Sequence, residues 1–321
     1  MKNRIFLVSK YFTFIFLIIL IISYFYSDYY ILGMIISLLP YWDFILIIGS
    51  ISWIIFVFFH KNNLKFLFTK INTILTILLI CGTLLFTVRI ITFCFINKNN
   101  NITNGKTIKI AFFNTLYDND KYDLLNSEIK KVDADIIGLA ELSPDRIDKI
   151  GITKMYPYFI IDNNIRHKDV GIFSKFPIQE NKNLDDDTDF FFIGAVNIEG
   201  KNYNIIVAHP TPPMSEEWNR LRNIVLAKLI QRINLIDEHN TLLIGDFNLT
   251  PWPPRYSDFL NQIPSIKDTA QGKGLNATWN DGPIFTHIDH IFVPKEMQIL
   301  DFHIHDNAGS DHHLIYAIIK L

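Results

Sequence analysis

Beyond position 96 this 321-residue chain has no cysteine; Cys81 and Cys94 are its only two. That stretch therefore carries neither a disulfide scaffold nor a thiolate metal site. HExxH and GxSxG are also missing, which removes support for zinc-protease and serine-hydrolase chemistry. No phosphate-cradling glycine loop, internal repeat or low-complexity tract is present. A basic excess is lacking as well. The first 96 residues hold seven Lys/Arg and two Asp, which leaves 23 basic and 30 acidic residues beyond them, a formal −7. A non-specific nucleic-acid binder normally presents a basic surface, so the charge disfavours DNA or RNA as partner.

What the chain does have is apolar residues concentrated at one end. Phe6–Tyr26 is long enough to span a bilayer, and no small-residue cleavage site follows it. Tyr29–Phe59 is apolar but interrupted at Pro40-Tyr41-Trp42-Asp43. This predicts a second span over 44–59, with Tyr29–Leu39 too short to cross. Ile71–Ile96 is the third span, and Arg89 near its far end reads as an interfacial anchor. Residues 1–96 are thus expected to be an all-α transmembrane anchor of about three helices (6–26, 44–59, 71–96). Lys2, Arg4, Lys10, Lys61, Lys65 and Lys70 flank the spans on one side, whereas Ser27–Asp43 has no Lys or Arg. The positive-inside rule then places the N-terminus and the 60–70 loop in the cytoplasm, and three crossings put everything after residue 96 on the extracytoplasmic side of the cell membrane. Asn97–Lys106 reads as a polar linker.

From Thr107 on, short apolar runs repeatedly end in polar residues. The central one is Leu242–Leu249, LLIGDFNL, a buried strand that breaks at Asp246 and Asn248. On an extended backbone these two side chains leave the same face. Taken alone, the stretch reads better as a strand followed by an Asx turn. Five further clusters change the balance. Thr107–Phe113 ends at Asn114, and Asp135–Ala140 delivers Glu141, which reads equally as a helix cap or a ligand. Asn204–Ala208 ends at His209 before Pro210, Pro212 and Pro213; Thr286–Pro294 carries Asp289 and His290, and Gly309–Ile319 carries Asp311, His312 and His313. Strand neighbours face opposite ways, so one of the two adjacent histidines meets a given site, and His312 is chosen. Asp169–Ile178 reads as one strand closed at a Pro turn, and Ser215–Glu238 as a long amphipathic helix. Carboxylates and amides are hard ligands suited to Mg²⁺ or Mn²⁺, and histidines beside them suit acid–base work on an oxyanion.

Asn114, Glu141, the GDFN of 245–248 and the closing GSDH of 309–312, in that order, resemble the endonuclease/exonuclease/phosphatase (DNase I-like) superfamily over roughly residues 107–321. The anchor, HPTPP, TPWPP and IDHIFV look more particularly like its membrane-anchored bacterial branch. The resemblance implies a four-layer α/β sandwich and a metal-dependent hydrolase of phosphate esters, a phosphodiesterase or phosphatase. It further implies that Asn114, Glu141 and Asp311 hold the ion and that Asp246 orients the attacking water. Asn248 and His209 would then contact the phosphoryl group, with His312 aligned by Asp289. A tether at the bilayer favours a lipid-linked phosphate as substrate. The alternatives are an anchored nuclease and a catalytically silent binding module.

Overall fold

The computed structural model describes residues 2–59, 70–96, 105–161, 170–180, 190–236 and 238–321. The 60–69 connection, most of the 97–106 linker and Asp169 lie outside the described residues. The chain divides into two compact units, residues 1–96 with 252–255, and residues 97–251 with 256–321.

The first unit is helical: α1 (Lys2–Phe25), α2 (Tyr30–Ser37), α3 (Leu39–Phe59) and α4 (Lys70–Phe95). Leu39–Phe56 and Thr73–Phe95 are each long and apolar enough to cross a membrane, whereas Tyr11–Phe25 qualifies only together with Tyr30–Ser37, across a bend of 113°. The second span expected at 44–59 begins earlier. Pro40 falls in the first turn of α3, where its missing N–H has no intrahelical partner to lose, so the Pro-Tyr-Trp-Asp stretch starts the helix and does not interrupt it. Hydrogen bonds join α3 to α4: Thr87 to the buried Asp43 (2.9 Å), Trp53 to Thr76 (2.9 Å) and Ser50 with Thr83 (3.2 Å). Arg89 is more than an interfacial anchor, since it donates to the carbonyls of Trp252 and Pro253 within this unit.

The second unit is a four-layer α/β sandwich. Its elements are β1 (Thr107–Asn114), α5 (Tyr122–Val132), β2 (Ile136–Ala140), α6 (Pro144–Ile150), β3 (Tyr158–Ile161), β4 (Gly171–Ser174), β5 (Ile178–Glu180), β6 (Phe191–Ile198), β7 (Lys201–Ala208), α7 (Glu216–Ile233), β8 (Thr241–Asp246), α8 (Pro254–Gln262), β9 (Ile266–Asp268), β10 (Trp279–Asp281), β11 (Ile284–Thr286), β12 (Asp289–Pro294), β13 (Gln298–Ile304) and β14 (Ile315–Lys320). One six-stranded sheet has the order β13-β14-β1-β2-β4-β3, the other β5-β6-β7-β8-β12-β9, and β10-β11 form a small hairpin. The sheets pack face to face: a Cβ on Gly138 of β2 would come within 2.7 Å of Ile244 and 2.9 Å of Val207 in the other sheet. On the outer face of the first sheet, Leu125, Ile129 and Val132 of α5 and Ile147 and Ile150 of α6 join Ala111, Phe113, Ile137 and Leu139 in one buried cluster.

The single strand expected over 169–178 is two. β4 pairs with β2 and β3 in the first sheet, and β5 pairs with β6 in the second. Pro177 stands between them; it has no N–H for a ladder, so the chain leaves one sheet there and enters the other.

Pairing explains why the polar clusters meet. β1 runs parallel to β2, and β7 parallel to β8, so their C-terminal ends, bearing Asn114, Glu141, His209 and Asp246, share one end of each sheet. β14 is antiparallel to β1 and β12 antiparallel to β8, so their starts, bearing His312 and Asp289, arrive at that same end.

Candidate active site

Asp246 is the centre of the cluster. It ends β8 with 2% exposure and lies opposite Asp289, the first residue of β12. Its Oδ2 is 3.7 Å from His209 Nε2, 3.6 Å from His312 Nε2 and accepts from the Asn114 amide at 3.3 Å. His209 Nε2 also stands 3.8 Å from Glu141 Oε1. His312 presents Nδ1 to both oxygens of the fully buried Asp289, each at 3.0 Å. A carboxylate on Nδ1 leaves Nε2 facing the centre, with the ring locked in orientation. His313 points elsewhere, its Nδ1 2.9 Å from the carbonyl of His305.

Burial pushes the Asp246 carboxyl above its usual range; His312 opposes that shift, Asp289 adds to it, and His209 and the Asn248 amide oppose it. His312 moves the other way from the usual buried histidine. Burial lowers it, but Asp289 and Asp246 together, with the Asp289 hydrogen bond, raise it to about 10, so it is an imidazolium at neutral pH. The site thus sets a carboxylate raised by burial beside a histidine raised by its carboxylate neighbours.

Glu141 adopts φ +59°, a left-handed conformation that a non-glycine residue holds only when its surroundings impose it. Oε1 accepts from Asn114 Nδ2 at 2.9 Å and Oε2 from the Tyr117 amide at 2.6 Å. It is not the cap of the following helix, because Ser143 occupies that position before Pro144. The loop bearing Tyr117 is held by Arg146, 4% exposed, which donates to the carbonyls of Thr115 (3.1 Å), Tyr117 and Asn119 (2.9 Å) and to Thr115 Oγ1 (3.1 Å). Arg146→Met strands these carbonyls; we expect a loss of about 3 kcal/mol of stability, read as a lower thermal midpoint of the full-length protein in detergent. An unchanged midpoint would mean that water replaces the guanidinium.

Asn248 departs from the expected extended backbone. β8 ends at Asp246, and Asn248 takes φ +49°, its own amide donating to Asp246 Oδ1 at 2.9 Å. The residue pair is therefore an Asx turn as well as part of the site, and asparagine tolerates the left-handed region that this turn needs. One hydrogen of its side-chain amide goes to the Pro210 carbonyl at 3.0 Å, tying the loop after His209 to the turn after Asp246. Asp311 is half-exposed, 4.0 Å from His312 Nε2, and accepts from Trp279 Nε1 at 2.8 Å. Among the described residues no hydrogen bond links it to Asn114 or Glu141. Trp279 and Arg146 carry no sequence pattern that would have brought them to notice.

The donor set fits a hard divalent cation through its carboxylates, Glu141 with Asp246, Asp289 and Asp311; the Asn114 oxygen accepts from the Leu116 amide at 3.1 Å while its nitrogen faces Glu141. Asp246, Asp289 and His312 also offer donor atoms within 4.8 Å of one another. Asp289, however, spends both oxygens on His312, which suits it to aligning that ring.

A two-sheet sandwich with this polar cluster at one end is the DNase I-like architecture. The family model described as Endonuclease/Exonuclease/phosphatase family matches residues 111–312, and the chain belongs to that family. Solved structures agree on the fold. An endonuclease/exonuclease/phosphatase family protein from Bacteroides thetaiotaomicron is 15% identical, with 68% of this chain and 96% of that chain covered at a TM-score of 0.53. D. rerio TDP2 complexed with a single-strand DNA product is 16% identical, covering 67% and 100%, TM-score 0.52. Beta toxin from Staphylococcus aureus with bound magnesium ions is 19% identical, covering 66% and 99%, TM-score 0.50. No curated protein matches the chain.

Proposed function

We propose that the protein is a membrane-anchored, divalent-metal-dependent hydrolase of phosphate esters that acts on the extracytoplasmic side, on a lipid-linked phosphate. The observation that carries this reading is the convergence of Glu141, His209, Asp246 and the His312–Asp289 pair at one end of both sheets, within 4 Å of one another through Asp246 and His209. The magnesium bound to the S. aureus relative supports Mg²⁺ as the ion, with Mn²⁺ of the same class.

Glu141 with Asn114 and Asp311 would hold the ion. When bound it neutralises phosphate charge and stabilises the leaving oxygen. Asp246, with its raised basicity, orients the attacking water and accepts its proton. The His312 imidazolium, kept charged and aligned by Asp289, donates from Nε2 to a non-bridging phosphate oxygen. His209 lies between the two carboxylates, placed to bind another phosphate oxygen or to pass a proton outward. Asn248 keeps a second amide hydrogen for the phosphoryl group beyond the one given to Pro210. The reaction is in-line displacement by water, with no covalent enzyme intermediate.

The helices long and apolar enough to cross a bilayer support a lipid substrate, because a tether raises the effective concentration of head groups at the site. The formal −7 of the chain beyond residue 96 opposes a nuclease.

Hydrolysis by the full-length, detergent-solubilised protein tests the reading, followed as phosphate from an isoprenoid pyrophosphate, a freed head group from a phospholipid and shortened strands from single-stranded DNA. Release from a lipid arm is expected, abolished by chelation, restored by Mg²⁺ and lost in His209→Ala. Cleavage of DNA alone would replace the lipid reading with an anchored nuclease, and activity indifferent to chelation would remove the metal.

A further inference from the structure

Beneath the turn that carries Asp246 and Asn248 lies a second set of buried polar groups, Asp268, His287 and His290, with donor atoms within 4.8 Å of one another. His290 is fully buried and follows Asp289 in β12. Adjacent strand residues face opposite ways, so the strand that gives Asp289 to the site gives His290 to the other side.

Both ring nitrogens of His290 face acceptors. Nε2 is 2.8 Å from the Leu249 carbonyl, and Nδ1 is 2.7 Å from Asp268 Oδ2. A carbonyl only accepts, so Nε2 carries a hydrogen. Asp268 is used as a carboxylate, with Oδ2 also accepting from Tyr256 Oη at 2.7 Å and Oδ1 from the Ala270 amide at 2.8 Å. Burial alone would raise the Asp268 carboxyl, but the charge and hydrogen bond of His290, with His287 and Tyr256 adding to them, hold it below its usual range. Burial first, then His290 beside it, lower His287 to about 4. Phe292 stacks on the His290 ring at 5.1 Å, and Phe247 meets it edge-on at 5.8 Å.

We infer that His290 is a positioning residue: a fully buried ring, held at Nδ1 by Asp268, that clamps the Leu249 carbonyl through Nε2 and so fixes the turn presenting Asp246 and Asn248. Leu249 is the residue directly after Asn248, whose left-handed backbone the clamp closes from below. From the far side Arg222 donates to the Asn248 carbonyl at 2.9 Å, and the Phe247 amide donates to Ile288 at 3.0 Å. The inference rests on the hydrolase reading for its kinetic consequence but not for its physical signature.

Two readouts test it on the full-length protein in detergent. In nitrogen-15 histidine spectra, one ring with a hydrogen-bonded Nε2–H should vanish in His290→Gln and lose that fixed Nε2–H state in Asp268→Asn. In hydrolysis of the best substrate, His290→Phe should lower kcat about 100-fold with KM within about twofold, as expected when a reacting group moves by about 1 Å. His290→Gln, which retains an N–H for Leu249, should recover at least tenfold of that loss; if the Phe variant does not fold, the comparison of Gln with wild type and Asp268→Asn stands in its place. A His290 ring with Nε2 unprotonated in the wild type would overturn the inference. So would a folded Phe variant with full kcat, or stoichiometric zinc binding by the wild type that both variants lose. A wild type inactive on every substrate would end the hydrolase reading, and the histidine spectrum with the Asn248 backbone amide shift in His290→Gln would still decide whether the clamp exists.

Discussion

Asp246→Asn is expected to lower turnover by about 10³-fold or more while the protein stays folded. The substitution preserves shape and keeps an oxygen for the Asn248 amide, so the turn survives. What it removes is the proton acceptor and the negative charge that His209 and His312 face at 3.7 and 3.6 Å. Because burial disfavours that charge, the thermal midpoint should move by only a few degrees, in either direction. Single-turnover phosphate release beside a thermal melt separates the two effects. A variant retaining more than a tenth of wild-type turnover would place the base elsewhere, with His209 the next candidate by geometry.

Gly245→Ala should damage the fold itself, by about 3 kcal/mol or more. The Cβ would come 2.0 Å from the carbonyl oxygen of Ala208, which is main chain and cannot swing aside. Gly245 pairs with Ala208 in the parallel β7–β8 ladder, one residue before Asp246 and one before His209. The close approach of these two strands is what sets the spacing between base and histidine. Activity should therefore fall further than the folded fraction does. Gly200→Ala is the control: its φ of +86° is strained for alanine, but nothing lies within 4 Å, so about 1 kcal/mol is expected and activity should hold. Equal effects in denaturant titrations of the two variants would show that backbone conformation, and not the contact with Ala208, governs Gly245.

Much of this is legible because the strands delivering polar groups end in short apolar runs, as in IIGLA before Glu141 and LLIG before Asp246. All residues of β2 and β8 are buried, so hydrophobicity alone marks them. The four-layer fold follows from the resemblance carried by Asn114, Glu141, GDFN and GSDH, and not from periodicity. What periodicity does not encode is which sheet a strand joins, and so β4 and β5 read as one. The β10–β11 hairpin was hidden for the opposite reason: its residues are exposed or half-exposed and give no apolar run, yet Trp279 within it holds Asp311. Asn248 was misjudged in backbone, since extended geometry is the default at a strand end and the left-handed turn is decided by tertiary contacts with Pro210 and Arg222. Asp268 sits in IKDTA with no pattern around it, and His290 was read only as a neighbour of Asp289.

The pairing of β1 with β14 has a consequence for how the enzyme comes into being. Asn114 and His312 are 198 residues apart in sequence yet 3.4 Å apart in space. At about 5–20 residues per second, the ribosome needs on the order of 10–40 s to travel from one to the other. Throughout that interval β1 lacks its antiparallel neighbour, and Asp289 has no ring to align. A nascent or prematurely terminated chain thus holds Glu141, His209 and Asp246 without the charge they work beside. On the proposed mechanism, a chain that ends before β14 is expected to be inert.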